Sequence, residues 1–434
     1  MAQMAVDGST ARSAALSLLG AVLDEGAQLS QALDAPNSPI AGLSPSDRAR
    51  AQRLVLTTLR HIEQADRVLT PYLRKSPPDY VRNALRLGVV ELAVDGGAAH
   101  GVVNAMVDIV RHGNRTGHMT GLVNAVLRKV ADAPAPFAKL PPQRMPQWLR
   151  QPLVHRWGRD VVEAIEAVQG QSPPVDLTPK IRFALDGATT LPNGSLRLTG
   201  STQISALPGF ASGEWWVQDA AATMAAGLLD VQPGESVLDL CAAPGGKTLQ
   251  MAASGAHVTA LDISTPRLAR LHENLARTGL SAKIITADAL HWQPKTLFDA
   301  VLLDAPCSAT GTLRRHPDLP FAKDGSDLPQ LIALQSQLID RALTFLKPGG
   351  RLVFCTCSLL AEEGEDQLTA TLARHPDLIV EQPMLQGIDP DWITPDGGLR
   401  LRPDYWRDIG GMDGFFMARL RKPATPLPPD RVLR

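Results

Sequence analysis

The chain has 434 residues, 44% of them hydrophobic and 20% charged, with a formal net charge of −1. That length holds two or three domains with sizeable cores, and the near-neutral balance excludes a uniformly basic nucleic-acid coat, so any nucleic-acid contact is confined to patches. Cys241, Cys307, Cys355 and Cys357 all fall in the carboxy-terminal half without the CxxC spacing of a zinc site, and no apolar run reaches transmembrane length, so a reduced, cytoplasmic protein without metal or membrane anchor is expected.

From Thr10 to Val130 apolar residues recur at three and four, as in Ala15, Leu18, Leu19, Val22 and Leu23, which predicts helices. Ser44-Pro45-Ser46-Asp47 reads as a helix start, and helices are expected over 45–60, 62–74, 79–94, 99–112 and 119–131. No strand pattern intervenes, so residues 1–132 form an all-helical domain of five to seven helices. Within it, Ala84 to Leu92, then His100-Gly101-Val102-Val103-Asn104, then Gly121 to Arg128 follow in an order that resembles the NusB-like RNA-binding domain. Asn104 and Asn124 are expected to be buried and to hold helix ends rather than RNA.

Ala133 to Pro142 is rich in Ala and Pro and reads as a linker. A helix near 160–169 and strand-like runs at Lys180–Phe183 and Leu196–Leu198 then suggest a small α/β piece, so residues 133–214 are taken as linker and bridging subdomain. Asp219 should cap the helix that follows it.

Beyond residue 215, strands alternate with helices at 236–240, 258–262, 283–286, 300–304 and 351–356, which predicts a doubly wound parallel sheet; Phe415 to Arg419 could add an antiparallel last strand. Ser236–Leu240 breaks into the loop Cys241-Ala242-Ala243-Pro244-Gly245-Gly246-Lys247, a helix follows, and the next strand ends on Asp262. A strand, glycine loop, helix, strand and acid in that order suit a nucleoside cofactor, with the glycines letting the backbone approach it and the acid accepting both ribose hydroxyls. A βα turn without ligand has the same look. Asp288 follows the third strand and can meet an adenine amino group or cap a turn.

The fourth strand ends in Asp304-Ala305-Pro306-Cys307 and the fifth in Thr356-Cys357-Ser358, which puts two thiols at neighbouring strand tips beside the crevice. Cys241 and Cys355 read as small buried hydrophobes. A thiolate that adds to C6 of a cytosine turns C5 into a nucleophile toward a methyl sulfonium; an acid must hold N3 and a base must then take the C5 proton. Cys357, Asp304 and Cys307 can fill those roles. Arg314, Arg315 and His316 follow as a basic turn, open to phosphates or merely solvated.

VLDLCAAPGGKT, ALDIS, DAPCSATGTLRRHPD, CTCS and DGFFMARL together resemble the RNA cytosine-C5 methyltransferases over residues 215–420, and with the NusB-like front the whole chain is similar to the RsmB (Sun) family that acts on 16S ribosomal RNA. The resemblance implies an all-α NusB-like domain followed by an α/β Rossmann-like class I methyltransferase domain over 215–422, with a tail at 423–434. It also implies S-adenosylmethionine as cofactor, held by residues Cys241 to Lys247, Asp262, Asp288 and Asp304; Lys247 would meet its carboxylate or the RNA. Cys357 of the Thr-Cys motif is then the nucleophile and Cys307 aids product release. The implied partner is 16S ribosomal RNA, free or in an early small-subunit particle, met by a monomer. A transfer RNA cytosine methyltransferase or a non-catalytic RNA-binding or antitermination factor are the competing readings. One departure stands out: Leu177-Thr178-Pro179-Lys180 lies where that family has a Leu-Arg-x-Asn strand.

Overall fold

The computed structural model describes residues 9–133, 137–181, 183–200 and 203–424, so most of the expected tail, three linker residues and Arg182 lie outside the described residues. The chain divides into two compact units, residues 1–172 with Leu313–Asp324, and residues 173–312 with 325–434.

The first unit carries α1 (Ser9–Leu23), α2 (Leu29–Asp34), α3 (Pro45–Arg60), α4 (Ile62–Leu69), α5 (Asp79–Ala93), α6 (Ala99–His112), α7 (Thr120–Asp132), α8 (Gln147–Trp157) and α9 (Arg159–Gln169). The start of α3 is fixed locally, because Ser44 Oγ accepts the Asp47 N–H at 3.2 Å and Pro45 takes the first turn, where its missing donor costs nothing. Leu18, Leu19, Leu54, Leu85, Val102 and Leu127 supply the core. Gly88 of α5 lets two helices approach, since a Cβ there would lie 2.8 Å from Leu127 Cδ1. Arg12 and Glu91 join α1 to α5 through a buried bidentate pair with both contacts at 2.7 Å.

Asn104 and Asn124 are not the buried helix props expected of them. Asn104 is exposed beside His100, and Asn124 accepts from Arg128 one turn on, so both sit on helix surfaces and bond locally. The unit also runs past 132. Gln143 donates to Leu59 O at 2.9 Å and accepts from Glu63 N, and Glu166 of α9 binds Met145 N and Arg150, which ties 140–169 to the helices before it. Helix α8 forms although Pro152 lies within it.

In the second unit a small antiparallel sheet takes β1 (Asp176–Pro179), β2 (Ala188–Thr190), β3 (Leu196–Leu198) and β4 (Trp215–Val217) in the order β2-β3-β1-β4. The first strand therefore lies at 176–179, not at 180–183. Buried Asp176 grips Arg197 bidentately at 2.7 Å and Leu177 pairs with Val217, so the departing Leu-Thr-Pro stretch is itself strand.

The main sheet holds β5 (Ser236–Leu240), β6 (His257–Asp262), β7 (Lys283–Thr286), β8 (Phe298–Asp304), β9 (Leu346–Thr356), β10 (Ile379–Glu381), β11 (Leu399–Leu401) and β12 (Phe415–Arg421). Its order is β10-β12-β9-β8-β5-β6-β7 with β11 on β12; β5 to β9 run parallel and β12 antiparallel, as the sequence suggested. Side chains alternate between faces: Val237, Ala300, Leu302 and Val353 pack on one side, Leu238, Val301, Leu303 and Leu352 on the other. The chain winds one way from β5 through β6 to β7 and then crosses back to β8. That reversal opens a crevice at the carboxyl ends of β5 and β8, where ligands of such sheets bind.

Candidate active site

The loop after β5 is built by its backbone. Cys241 has φ +61° and Gly245 φ +107°, both left-handed. Glycine at 245 answers that φ and a neighbour, for a Cβ there would lie 2.3 Å from Leu271 Cδ1 of α12 (Thr265–Thr278). Close packing, rather than approach to a ligand, is what glycine serves at this position. Ala242 N donates to Leu261 O at 3.1 Å, and Ala243 N to Asp262 Oδ2 at 3.0 Å, so the loop is laced to the end of β6. Arg267 of α12 donates to Ala243 O and also faces Asp262.

Asp262 is buried and accepts Ser264 N on its other oxygen at 2.8 Å. Two backbone donors leave carboxylate lone pairs for further partners. Asp288, half-buried, accepts Leu290 N at 2.9 Å and His291 Nδ1 at 2.7 Å, contacts that depress its pKa. They are those of a turn cap.

Lys247 opens α11 (Gly246–Ala253), where the helix dipole disfavours a cation. It is not a surface lysine. Its Nζ donates to Asp304 Oδ2 at 2.7 Å and lies 5.3 Å from the Phe415 ring centre. Burial opposes its charge, yet the charge of Asp304 beside it outweighs burial and raises its pKa above the ordinary lysine value. Cys355, fully buried, donates to Asp304 Oδ1 at 3.5 Å, and burial pushes the thiols of Cys355 and Cys241 far up.

The two strand-tip thiols meet. Cys307 Sγ and Cys357 Sγ stand 3.4 Å apart. The hydrogen bond to Cys357 first, then burial and the Cys357 charge, hold the Cys307 thiol well above its ordinary pKa. Behind them, Gly311 N donates to Cys357 O at 2.9 Å and Gly414 N to Gly311 O at 2.8 Å; a Cβ at Gly311 would lie 2.0 Å from Gly414 O.

Several residues at this site escaped the sequence reading. Glu363, fully buried, accepts Ser308 N and Gln335 Nε2, both at 2.9 Å, and also the Ser308 hydroxyl, which anchors the residue next to Cys307. Its run of acids reads only as charge near a helix start, and no motif marks it. Asp239, in the middle of β5, accepts from Thr248 and is pushed up to about 7 by burial. An acid inside an apolar strand was a visible signal, since a buried polar group needs a partner. Arg314 is buried within the first unit, which removes the solvated-turn reading for it.

A doubly wound sheet of this order, with its glycine loop and acids at successive strand ends, defines a methyltransferase of the class that carries its methyl donor in a nucleoside crevice. The family model for the 16S rRNA methyltransferases RsmB/F matches residues 226–421, and that of the NusB family matches residues 9–132. The ribosomal RNA small subunit methyltransferase B of Sodalis glossinidius is 34% identical over 92% of this chain and 95% of its own. That of Xanthomonas campestris pv. campestris is 35% identical over 97% and 99%. This chain belongs to the ribosomal RNA small subunit methyltransferase B family. Among solved structures, a methyltransferase homolog from Pyrococcus horikoshii is 28% identical with a TM-score of 0.52, covering 61% of this chain and 92% of its own. PH0851 shares the fold at 22% identity, with a TM-score of 0.71 over 97% of this chain and 100% of its own.

The enzyme is a ribosomal RNA methyltransferase whose methyl donor is S-adenosylmethionine. The residue types present, carboxylates at Asp262 and Asp288 near the ends of β6 and β7 and a cation at Lys247 opening α11, are compatible with a group that carries hydroxyls, an amine and a carboxylate. Among the described residues no helix is long and apolar enough to cross a membrane.

Proposed function

We propose that this enzyme methylates C5 of a cytosine in small-subunit ribosomal RNA, through a covalent bond between Cys357 Sγ and C6 of the base. The observation that carries the reading is the 3.4 Å contact between the thiols of Cys307 and Cys357 at the tips of the paired strands β8 and β9. Cys357 of the Thr-Cys motif is taken as the attacking sulfur, and Cys307, whose thiol is held up, as the group that acts later. Asp262, Asp288 and the loop from Cys241 to Lys247 would hold the cofactor, which supplies an electrophilic methyl group.

The Cys357 electron pair forms the S–C6 bond while the C5=C6 pair becomes available at C5, and N3 takes up a proton. An ionised Asp304 can only accept, so the proton reaches N3 through the Asp304–Lys247 pair, with the ammonium as its source. The C5 pair is then placed to take the methyl group that the cofactor would supply, the cofactor sulfur keeping the electron pair of the broken bond. Once Cys357 is bonded to carbon it carries no charge, and the two interactions with Cys357 that raise the Cys307 pKa are gone. Cys307 can now lose its proton to solvent and act as base. It takes the proton from C5, the C5=C6 bond re-forms, Cys357 departs with its electron pair, and N3 returns its proton to Lys247.

Labelled S-adenosylmethionine incubated with the enzyme and small-subunit RNA, followed by nucleoside digestion, tests this. Label should appear in 5-methylcytidine and vanish for Cys357→Ala. Label in any other nucleoside would refute it.

A further inference from the structure

In the first unit, Arg60 at the end of α3, Gln169 at the end of α9 and the exposed Arg144 line a cavity of about 30 Å³, walled in part by Met145, Leu313 and Pro317. Arg60 is 6% and Gln169 9% exposed, and Arg60 Nε and Gln169 Nε2 are buried donors with no hydrogen-bond partner. Arg60 uses Nη2 on the Arg314 carbonyl at 2.8 Å, and its Nε–H remains unmatched. Among the described residues no carboxylate lines the cavity. Burial first, and the neighbouring Arg314 charge second, lower the Arg60 pKa to about 10.

A cavity lined by two arginines and by two residues with buried, unmatched donors suits an acceptor that also brings negative charge. A water could accept hydrogen bonds there but would leave the buried Arg60 charge uncompensated. A tetrahedral oxyanion satisfies both demands, and guanidinium groups suit phosphate oxygens by geometry as well as charge. We propose that this cavity is an oxyanion site that takes one phosphate group, either of the RNA backbone or of free inorganic phosphate. It lies outside the methyl-transfer crevice and does not depend on how that crevice works.

Thermal unfolding of the full chain in inorganic phosphate, against chloride at equal ionic strength, is the first arm. The wild-type Tm should rise and saturate with phosphate only, and Arg60→Met and Gln169→Leu should abolish the response. Binding of a small-subunit RNA fragment as a function of salt is the second. If RNA supplies the phosphate, the slope of log K against log salt should become shallower by about 0.7–0.9 for Arg60→Met. A phosphate response with an unchanged slope assigns the site to the free ion. Phosphate acting no differently from chloride, together with RNA binding unaltered in both variants, would overturn the proposal. Should a variant fail to fold, wild-type crystals soaked in selenate decide: anomalous density between Arg60 and Gln169 supports the site, and water alone refutes it.

Discussion

At Asp262 a single carboxylate serves both the loop and the crevice. Because it holds Ala243 N and Ser264 N, alanine there would loosen the loop as well as remove a ligand contact. Asp262→Asn separates the two effects, since one amide oxygen can keep a backbone donor. We expect S-adenosylmethionine affinity to fall roughly ten- to hundredfold, about 1.5–3 kcal/mol, in a folded protein, as calorimetry would measure. Asp239 gives a pH signature. Its folded pKa, about 7, lies above the ordinary carboxylate value, so the native state binds a proton that the unfolded chain gives up near pH 4. Stability from this group is full below pH ~4 and is lost as pH rises toward ~7, by at most about 4 kcal/mol. Asp239→Asn should flatten that part of the stability–pH profile in chemical denaturation, while a profile unchanged by the substitution would remove Asp239 as its origin.

The elements that matter are the two strand tips, and their sequence told half of the story. Asp304-Ala305-Pro306-Cys307 and Thr356-Cys357-Ser358 each break an apolar run, so both cysteines could be placed beyond strand ends from the pattern alone. The expectation that the two tips are neighbours holds, since β8 and β9 pair in parallel, but the 3.4 Å sulfur contact depends on the loops beyond them and was not legible. Glu363 was illegible for the same reason: its partners Ser308 and Gln335 are 55 and 28 residues away. It fixes the backbone beside Cys307, so Glu363→Gln, which sets an amide N–H₂ against existing donors, should cost about 1–3 kcal/mol. A lowered Tm with methyl transfer down at least tenfold and cofactor affinity unchanged is the expected result. Equal activity in a folded variant would mean that the loop is held by other contacts.

Over the whole molecule, the helical periodicity and the strand alternation were enough to read both domains, because each repeats over many residues. Membership of Leu313–Asp324 in the helical unit was not readable, since those residues follow the Cys307 loop directly in the chain. Asp318 accepts Leu29 N at 2.9 Å, and Phe321 packs on the helical core. Deleting residues 1–132 therefore strips partners from this segment while leaving β5, β6 and β7 whole. Such a protein should bind S-adenosylmethionine by calorimetry yet transfer methyl groups to ribosomal RNA poorly, and full transfer would show that the segment needs no helical partners. The assignment of the two thiols is tested most directly by denaturing gels of Cys307→Ala and Cys357→Ala after incubation with small-subunit RNA and S-adenosylmethionine. With Cys357 as nucleophile, Cys307→Ala adds to the base, transfers the methyl group and stalls, giving a shifted protein–RNA band, while Cys357→Ala gives none. A shifted band from Cys357→Ala and none from Cys307→Ala would contradict this and make Cys307 the nucleophile.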